Sequence, residues 1–130
     1  LDRYDGLLNR RRDIIERYDE AFKPFGLLTV PHFTDRHTSS GHLYLLRIPG
    51  IGVDRRNELI VQMAERGIAT NVHYKPLPMM TAYKNMGFDI ADFPNAYHQY
   101  ENEITLPLNT KLSDEDVEYI INNLLEILHE

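Results

Sequence analysis

Apolar positions recur at helical spacing near the amino terminus of the chain. The positions that fit this spacing are Leu7, Leu8, Ile14, Ile15, Tyr18, Phe22 and Phe25. They predict a helix of about 22 residues, which Pro24 and Gly26 bring to an end. Because no capping residue precedes this helix, we expect the chain to be a carboxyl-terminal piece of a longer protein, with residues 1–25 leading from another domain. The alternative is a disordered lead-in followed by a shorter helix from about Asn9.

A second helical pattern lies near the carboxyl terminus. Ser113 and Asp116 form a candidate capping box, in which the acid replaces the usual Glu or Gln. Asp114 and Glu115 suit the positive end of a helix dipole. The apolar stripe that follows comprises Val117, Ile120, Ile121, Leu124, Leu125 and Leu128. This segment therefore predicts a helix that packs on a core.

Strand-like and helical segments lie between these two helices. The strand-like segments are Leu27–Pro31, His42–Ile48, Ile68–Tyr74 and Ile104–Leu108. Further helices are predicted from the cap Asp54 to Gly67, near Met79–Met86 and at Pro94–Glu103. Because strands and helices do not alternate regularly, the order predicts an α+β fold, with one small, mainly antiparallel sheet packed with helices.

Composition and charge narrow the classes of function. A chain of 130 residues corresponds to one domain, and its net charge is −6. No apolar run reaches the ~18 residues of a membrane span, and no extended basic face is present to bind nucleic acid. The chain has no cysteine, which excludes disulfides and agrees with a reducing compartment. We therefore expect a cytoplasmic protein whose partners are neither membranes nor nucleic acids.

Two short patterns favour a structural interpretation. Gly50-x-Gly52 precedes a predicted helix, as phosphate-binding turns do, but Arg55 stands where the third glycine of such a loop is needed. This favours a plain turn. The basic run Arg10–Arg12 falls between buried positions of the first helix, and we interpret it as a solvated helix face.

Histidines at intervals of five are a weak signal for a metal site. They are His32, His37 and His42, and the stretch between them adds only Asp35 as a further hard ligand. A spacing of five places ligands on one face of neither a helix nor a strand, so the sequence predicts no metal site. Serine and threonine show no nucleophile-elbow context, and the sequence predicts no catalytic nucleophile.

The segment Asn71-Val72-His73-Tyr74-Lys75-Pro76-Leu77 is the best candidate for binding chemistry. It places His73, Tyr74 and Lys75 at the end of a predicted strand, where the sheet fixes the backbone and the side chains stay accessible. These side chains offer a proton donor or acceptor, a hydroxyl and a cation. The alternative is a structural histidine beside a proline turn, and the residues alone favour neither interpretation.

Several motifs together resemble the carboxyl-terminal part of the DegT/DnrJ/EryC1/StrS family of sugar aminotransferases, which depend on pyridoxal phosphate. They are Arg11-Arg12 with Tyr18, Gly67-Ile68-Ala69-Thr70-Asn71-Val72-His73-Tyr74-Lys75-Pro76-Leu77, Tyr83, Phe93-Pro94-Asn95-Ala96 and Leu106-Pro107-Leu108. The resemblance runs over nearly the whole chain. Many members have a histidine after the Pro-Leu pair, where this chain has Pro78.

The resemblance implies the carboxyl-terminal small domain of a fold-type-I transferase. Its missing amino-terminal domain would bind pyridoxal phosphate, and the enzyme would pass an amino group from an amino acid, commonly glutamate, to a nucleotide-linked keto-sugar. His73, with Tyr74 or Lys75, would face the sugar-nucleotide. The resemblance implies no catalytic or cofactor-binding residue in this chain, so it assigns no cofactor-binding role to Lys23, Lys75, Lys84 or Lys111. It also implies a homodimer, and an inactive chain when this part is isolated.

Two other functions remain open from the sequence. One is a stand-alone α+β module that binds a small molecule or regulates without catalysis, with residues 73–77 lining its pocket. The other is a structural dimerisation domain.

Overall fold

The structure, a computed structural model, describes residues 2–129. Within that range the α-helices are α1 (Tyr4–Phe22), α2 (Val53–Glu65), α3 (Thr81–Asn85), α4 (Pro94–Glu101) and α5 (Asp114–His129). The strands are β1 (Leu28–Thr29), β2 (Tyr44–Arg47) and β3 (Glu103–Leu106). Short 3₁₀ turns lie at Lys23–Phe25, Leu77–Met79 and Ile90–Asp92. Leu1 and Glu130, the ends of the predicted domain, lie outside the described residues.

The three strands form one antiparallel sheet in the order β1-β2-β3. Leu28 pairs with Arg47, and Arg47 pairs with Glu103 on the next strand. The predicted α+β fold with a small antiparallel sheet is therefore confirmed. The predicted strand Ile68–Tyr74 is wrong, because the segment makes only one isolated bridge, between Asn71 and Thr105.

Side chains explain why the strand does not extend beyond that bridge. The backbone N–H of Val72 donates to Asn71 Oδ1 at 2.8 Å, and that of His73 donates to Glu103 Oε2 at 3.0 Å. These donors are satisfied locally and do not form the ladder of a strand. Residues 71–73 instead lie along the edge of β3 as an irregular segment.

The core forms where α1, α2 and α5 pack against one face of the sheet. Tyr44, Leu46, Ile104 and Leu106 provide that face, since Tyr44 pairs with Leu106 and Leu46 with Ile104. The helical core residues are Ile14, Ile15, Tyr18, Phe22, Leu59, Met63, Val117, Ile120, Ile121, Leu124 and Ile127. The two helical stripes predicted near the ends of the chain thus supply eight of these eleven residues, whereas the buried Ile127 was not predicted.

Helix boundaries differ from the predictions at several points. Leu7, at a position predicted to be buried, is 41% exposed near the start of α1. Gly52, and not Asp54, occupies the N-cap of α2. Helix α4 ends at Glu101, so Glu103 belongs to β3 and not to the predicted helix Pro94–Glu103. This last difference matters for the site, because it places an acidic side chain in the sheet.

The interpretation of the basic run Arg10–Arg12 as a solvated helix face is wrong for Arg10, which binds residues at and just before the start of α5. Arg10 and Arg17 both pair with Asp114 at the start of α5, at 2.8 and 2.7 Å. The hydrogen bond from Arg10 and the charge of Arg17 lower the pKa of the Asp114 carboxyl. The predicted capping box of α5 is confirmed, with Asp116 N–H donating to Ser113 Oγ and Ser113 N–H to Asp116 Oδ2. Among the described residues, no helix has the length and apolar character needed to traverse a bilayer.

Candidate functional site

The predicted binding residues lie where the chain leaves the edge of β3. His73 is half-buried, and its Nδ1 lies 2.8 Å from Thr105 Oγ1. Tyr74 is 71% exposed, and its ring meets the His73 ring edge-on at a centroid distance of 4.7 Å. Lys75 is exposed. The structure thus brings the two rings together and leaves Lys75 exposed at the surface.

Two buried polar side chains of β3 support His73 from behind. Glu103 is 1% exposed, and its Oε2 accepts the backbone N–H of His73 at 3.0 Å. Thr105 donates its hydroxyl proton to the other oxygen of Glu103, Oε1, at 2.6 Å. A continuous set of hydrogen bonds therefore joins the carboxylate of Glu103, the hydroxyl of Thr105 and the ring of His73.

A buried arginine lies beneath this set. Arg56, on α2, is 1% exposed, and its Nη1 donates to the carbonyl oxygens of Tyr100 at 3.0 Å and Glu103 at 3.2 Å. Its guanidinium carbon lies 4.7 Å from the centroid of the Tyr100 ring. Arg56 thereby joins α2 to the end of α4 and to the first residue of β3.

The electrostatic environment of Glu103 contains opposing effects. Burial is the largest and raises the pKa of its carboxyl group. The Thr105 hydroxyl, the His73 backbone N–H and the charge of Arg56 oppose that rise. The carboxylate is therefore enclosed but well supplied with donors and positive charge.

Glu103, Thr105 and Arg56 were missed by the sequence interpretation. The first two alternate with the core residues Ile104 and Leu106, so they point to the second face of β3. That face is normally polar because it meets solvent. Here residues 71–73 run along the strand and contact both side chains. The alternation of Glu103 and Thr105 with apolar residues was the available signal.

The arrangement can bind a polar ligand. The ring of His73 is held through Nδ1, and its Nε2 makes no hydrogen bond with any of residues 2–129. The Tyr74 hydroxyl and the Lys75 ammonium are also accessible beside it. A fixed imidazole flanked by an aromatic ring and a cation suits recognition of a small polar molecule.

The other candidate histidines are placed elsewhere. His32 Nδ1 lies 3.2 Å from Ser39 Oγ, and its ring stacks on Tyr44. Burial lowers the pKa of His32, and the nearby Asp19 partly opposes this effect. His37 Nε2 lies 3.1 Å from a backbone carbonyl oxygen. Within residues 2–129, no three acidic or histidine side chains are grouped so that they could hold a metal ion.

The structure is an α+β fold with the polar segment 71–75 at the edge of its sheet. The chain belongs to the DegT/DnrJ/EryC1/StrS aminotransferase family, whose sequence profile matches residues 1–125. The resemblance carried by the sequence motifs is therefore confirmed.

Individual relatives agree with this membership. The spore coat polysaccharide biosynthesis protein SpsC of Bacillus subtilis is 34% identical over 98% of this chain and 34% of its own length. Spr1654 of Streptococcus pneumoniae, assigned as a sugar aminotransferase, is 52% identical, with a TM-score of 0.95 over 99% of this chain and 32% of its own. A UDP-4-amino-4,6-dideoxy-N-acetyl-beta-L-altrosamine transaminase of Campylobacter jejuni is 27% identical over 98% of this chain. The chain spans about a third of the length of these relatives.

The family implies pyridoxal phosphate, and Spr1654 has been solved in a pyridoxal phosphate form. A lysine that holds this cofactor is enclosed and activated by its surroundings. Within the described residues, every lysine is exposed, namely Lys23, Lys75, Lys84 and Lys111. The residues present here therefore do not fit the cofactor, and we assign them no step that passes through it.

Proposed function

We propose that this chain is the carboxyl-terminal small domain of an aminotransferase that uses pyridoxal phosphate. The complete enzyme would pass an amino group from an amino acid, commonly glutamate, to a nucleotide-linked keto-sugar for polysaccharide synthesis. Family membership over residues 1–125 and the names of the relatives support this proposal. The larger cofactor-binding domain would precede residues 1–25, and the enzyme would work as a homodimer in the cytoplasm.

The observation that carries the proposal for this chain is the fixed, accessible ring of His73. In the complete enzyme its Nε2 would hydrogen-bond the sugar-nucleotide, with the Tyr74 hydroxyl and the Lys75 ammonium as further contacts. The cofactor would serve as the electron sink of the reaction. The residues of this chain would bind and orient the sugar, which lowers the barrier by positioning the keto carbon.

The two half-reactions of the complete enzyme test this role separately. His73→Ala removes the proposed hydrogen bond, so the efficiency with the sugar-nucleotide should fall roughly 5- to 150-fold, equivalent to about 1–3 kcal/mol. The half-reaction with the amino donor should keep its rate, because the donor would be held by the larger domain. Single-turnover measurements that follow the cofactor absorbance report each half-reaction.

A matched control separates a local loss from a general one. His42 is an exposed histidine just before β2, away from the site, so His42→Ala should leave both half-reactions at the wild-type rate. If His73→Ala also leaves both unchanged, His73 is a structural histidine and the proposed role fails. If His73→Ala slows both equally, its effect is on the fold and the proposed role fails as well.

A further inference from the structure

In the hydrogen bonds between Glu103, Thr105 and His73, the chemistry of each group determines which one donates and which one accepts. Both oxygens of the Glu103 carboxylate accept, one from the His73 N–H and the other from the Thr105 hydroxyl. A hydroxyl has one proton to donate, and that of Thr105 is used on Glu103 at 2.6 Å. The Thr105 oxygen, 2.8 Å from His73 Nδ1, is therefore left as an acceptor towards the ring.

The direction depends on Glu103 being ionised. Burial raises the pKa of its carboxyl group, and the contacts of the carboxylate oppose that rise. It accepts two hydrogen bonds within 3.0 Å, which a protonated carboxyl group would lose in part. The guanidinium of Arg56, which binds the Glu103 carbonyl oxygen at 3.2 Å, adds positive charge close by. These contacts stabilise the charged form against its burial.

We propose that Glu103 and Thr105 are positioning residues that hold neutral His73 with its proton on Nδ1. The unprotonated Nε2 then faces the ligand as a hydrogen-bond acceptor. The group that it recognises must be a donor, such as a sugar hydroxyl or an N–H group, and not an oxygen of the nucleotide phosphates. That the ligand is a sugar-nucleotide rests on the proposed function, whereas the position of the proton does not.

The position of the proton can be observed directly, without substrate or activity. In protein labelled with [¹⁵N]histidine, long-range ¹H–¹⁵N spectra distinguish the two neutral ring forms, and His73→Ala identifies the signals of His73 among the six histidines. At a pH where the ring is neutral, the wild-type protein should show the Nδ1–H form. An Nε2–H form overturns the inference.

Two substitutions at Thr105 test the cause. Thr105→Val keeps the shape of the side chain and removes the hydroxyl, so the signal should move towards the Nε2–H form. Thr105→Ser restores the hydroxyl and should restore the Nδ1–H form. If valine and serine both leave the wild-type spectrum unchanged, Thr105 does not set the proton position and the inference fails.

Kinetics of the complete enzyme extend the test to the ligand. Thr105→Val should raise KM for the sugar-nucleotide roughly 3- to 10-fold with little change in kcat, and Thr105→Ser should stay near wild type. A wild-type KM in Thr105→Val contradicts the positioning role. If the wild-type protein shows the Nδ1–H form but His73→Ala has normal kinetics with the sugar-nucleotide, the proton assignment stands. The proposed function and the donor group assigned to the ligand are then overturned.

Discussion

Replacement of the buried Arg56 by leucine tests how the site is supported. Its guanidinium satisfies two backbone carbonyl oxygens, those of Tyr100 and Glu103, and lies over the Tyr100 ring. It also donates through Nε to Asn57 Oδ1, but Asn57 is exposed and can turn to water. The destabilisation caused by Arg56→Leu should therefore come mainly from the two carbonyl groups that lose their donor and from the nearby carboxylate of Glu103.

The expected decrease in the free energy of unfolding of Arg56→Leu follows from these contacts. Each buried carbonyl oxygen left without a partner costs about 1–3 kcal/mol. The lost cation–π contact adds roughly 0.5–2 kcal/mol, and burial of the leucine side chain returns part of the total. Removal of one member of a buried charged group typically costs about 3–5 kcal/mol. We expect Arg56→Leu to lower the free energy of unfolding by about 3–5 kcal/mol.

Urea unfolding followed by circular dichroism measures this change. Arg36 is exposed, and its side chain makes no hydrogen bond or ion pair with the rest of residues 2–129, so Arg36→Leu is a matched control. The control should stay within about 0.5 kcal/mol of wild type. If Arg56→Leu loses less than about 1 kcal/mol, the two carbonyl contacts do not carry the stability assigned to them.

Two carboxylates should make opposite contributions to the pH dependence of stability. Burial raises the pKa of Glu103 above its ordinary 4.5, so the folded chain holds this proton more tightly than the unfolded one. Relative to Glu103→Gln, wild-type stability should therefore be greatest below pH 4.5 and should fall as the pH rises through the raised pKa. Urea unfolding at several pH values measures the difference in stability, and a difference that does not change with pH would contradict this expectation. Arg10 and Arg17 lower the pKa of Asp114 below 3.8, so its stabilisation should be present above pH 3.8 and be lost as the pH falls through the lowered pKa. Asp114→Asn should remove this stabilisation and the dependence of the stability on salt concentration, whereas the control Glu115→Gln should remove neither. Equal effects of the two variants on stability would refute the role of the ion pairs.

The sequence predicts the elements that are specified by local patterns. The capping box of Ser113 and Asp116 and the apolar stripe after it suffice to place α5, because both signals act within a few residues of each other. The antiparallel strands on either side of residues 32–42 are also found, since each is a short apolar run. By contrast, the partners of Arg10 and Arg17 lie about a hundred residues away, and helical spacing carries no information about them.

The candidate site is predicted only in part, for the same reason. The motif around His73 identifies the loop, but the groups that hold the ring come from β3 and α2. The sequence predicts Glu103 at the end of the helix Pro94–Glu103, whereas it is the first residue of β3 and is buried. Its burial depends on three elements that meet only in the folded chain, namely β3, α2 and the segment 71–73.

We propose that His73 faces the sugar through an unprotonated Nε2. A crystal structure of the complete enzyme with its nucleotide-sugar bound tests it most directly. We predict that His73 Nε2 lies about 2.7–3.2 Å from a hydroxyl or N–H group of the sugar, while Nδ1 keeps its contact with Thr105. A sugar bound out of reach of His73, or a phosphate oxygen in contact with Nε2, would contradict the account.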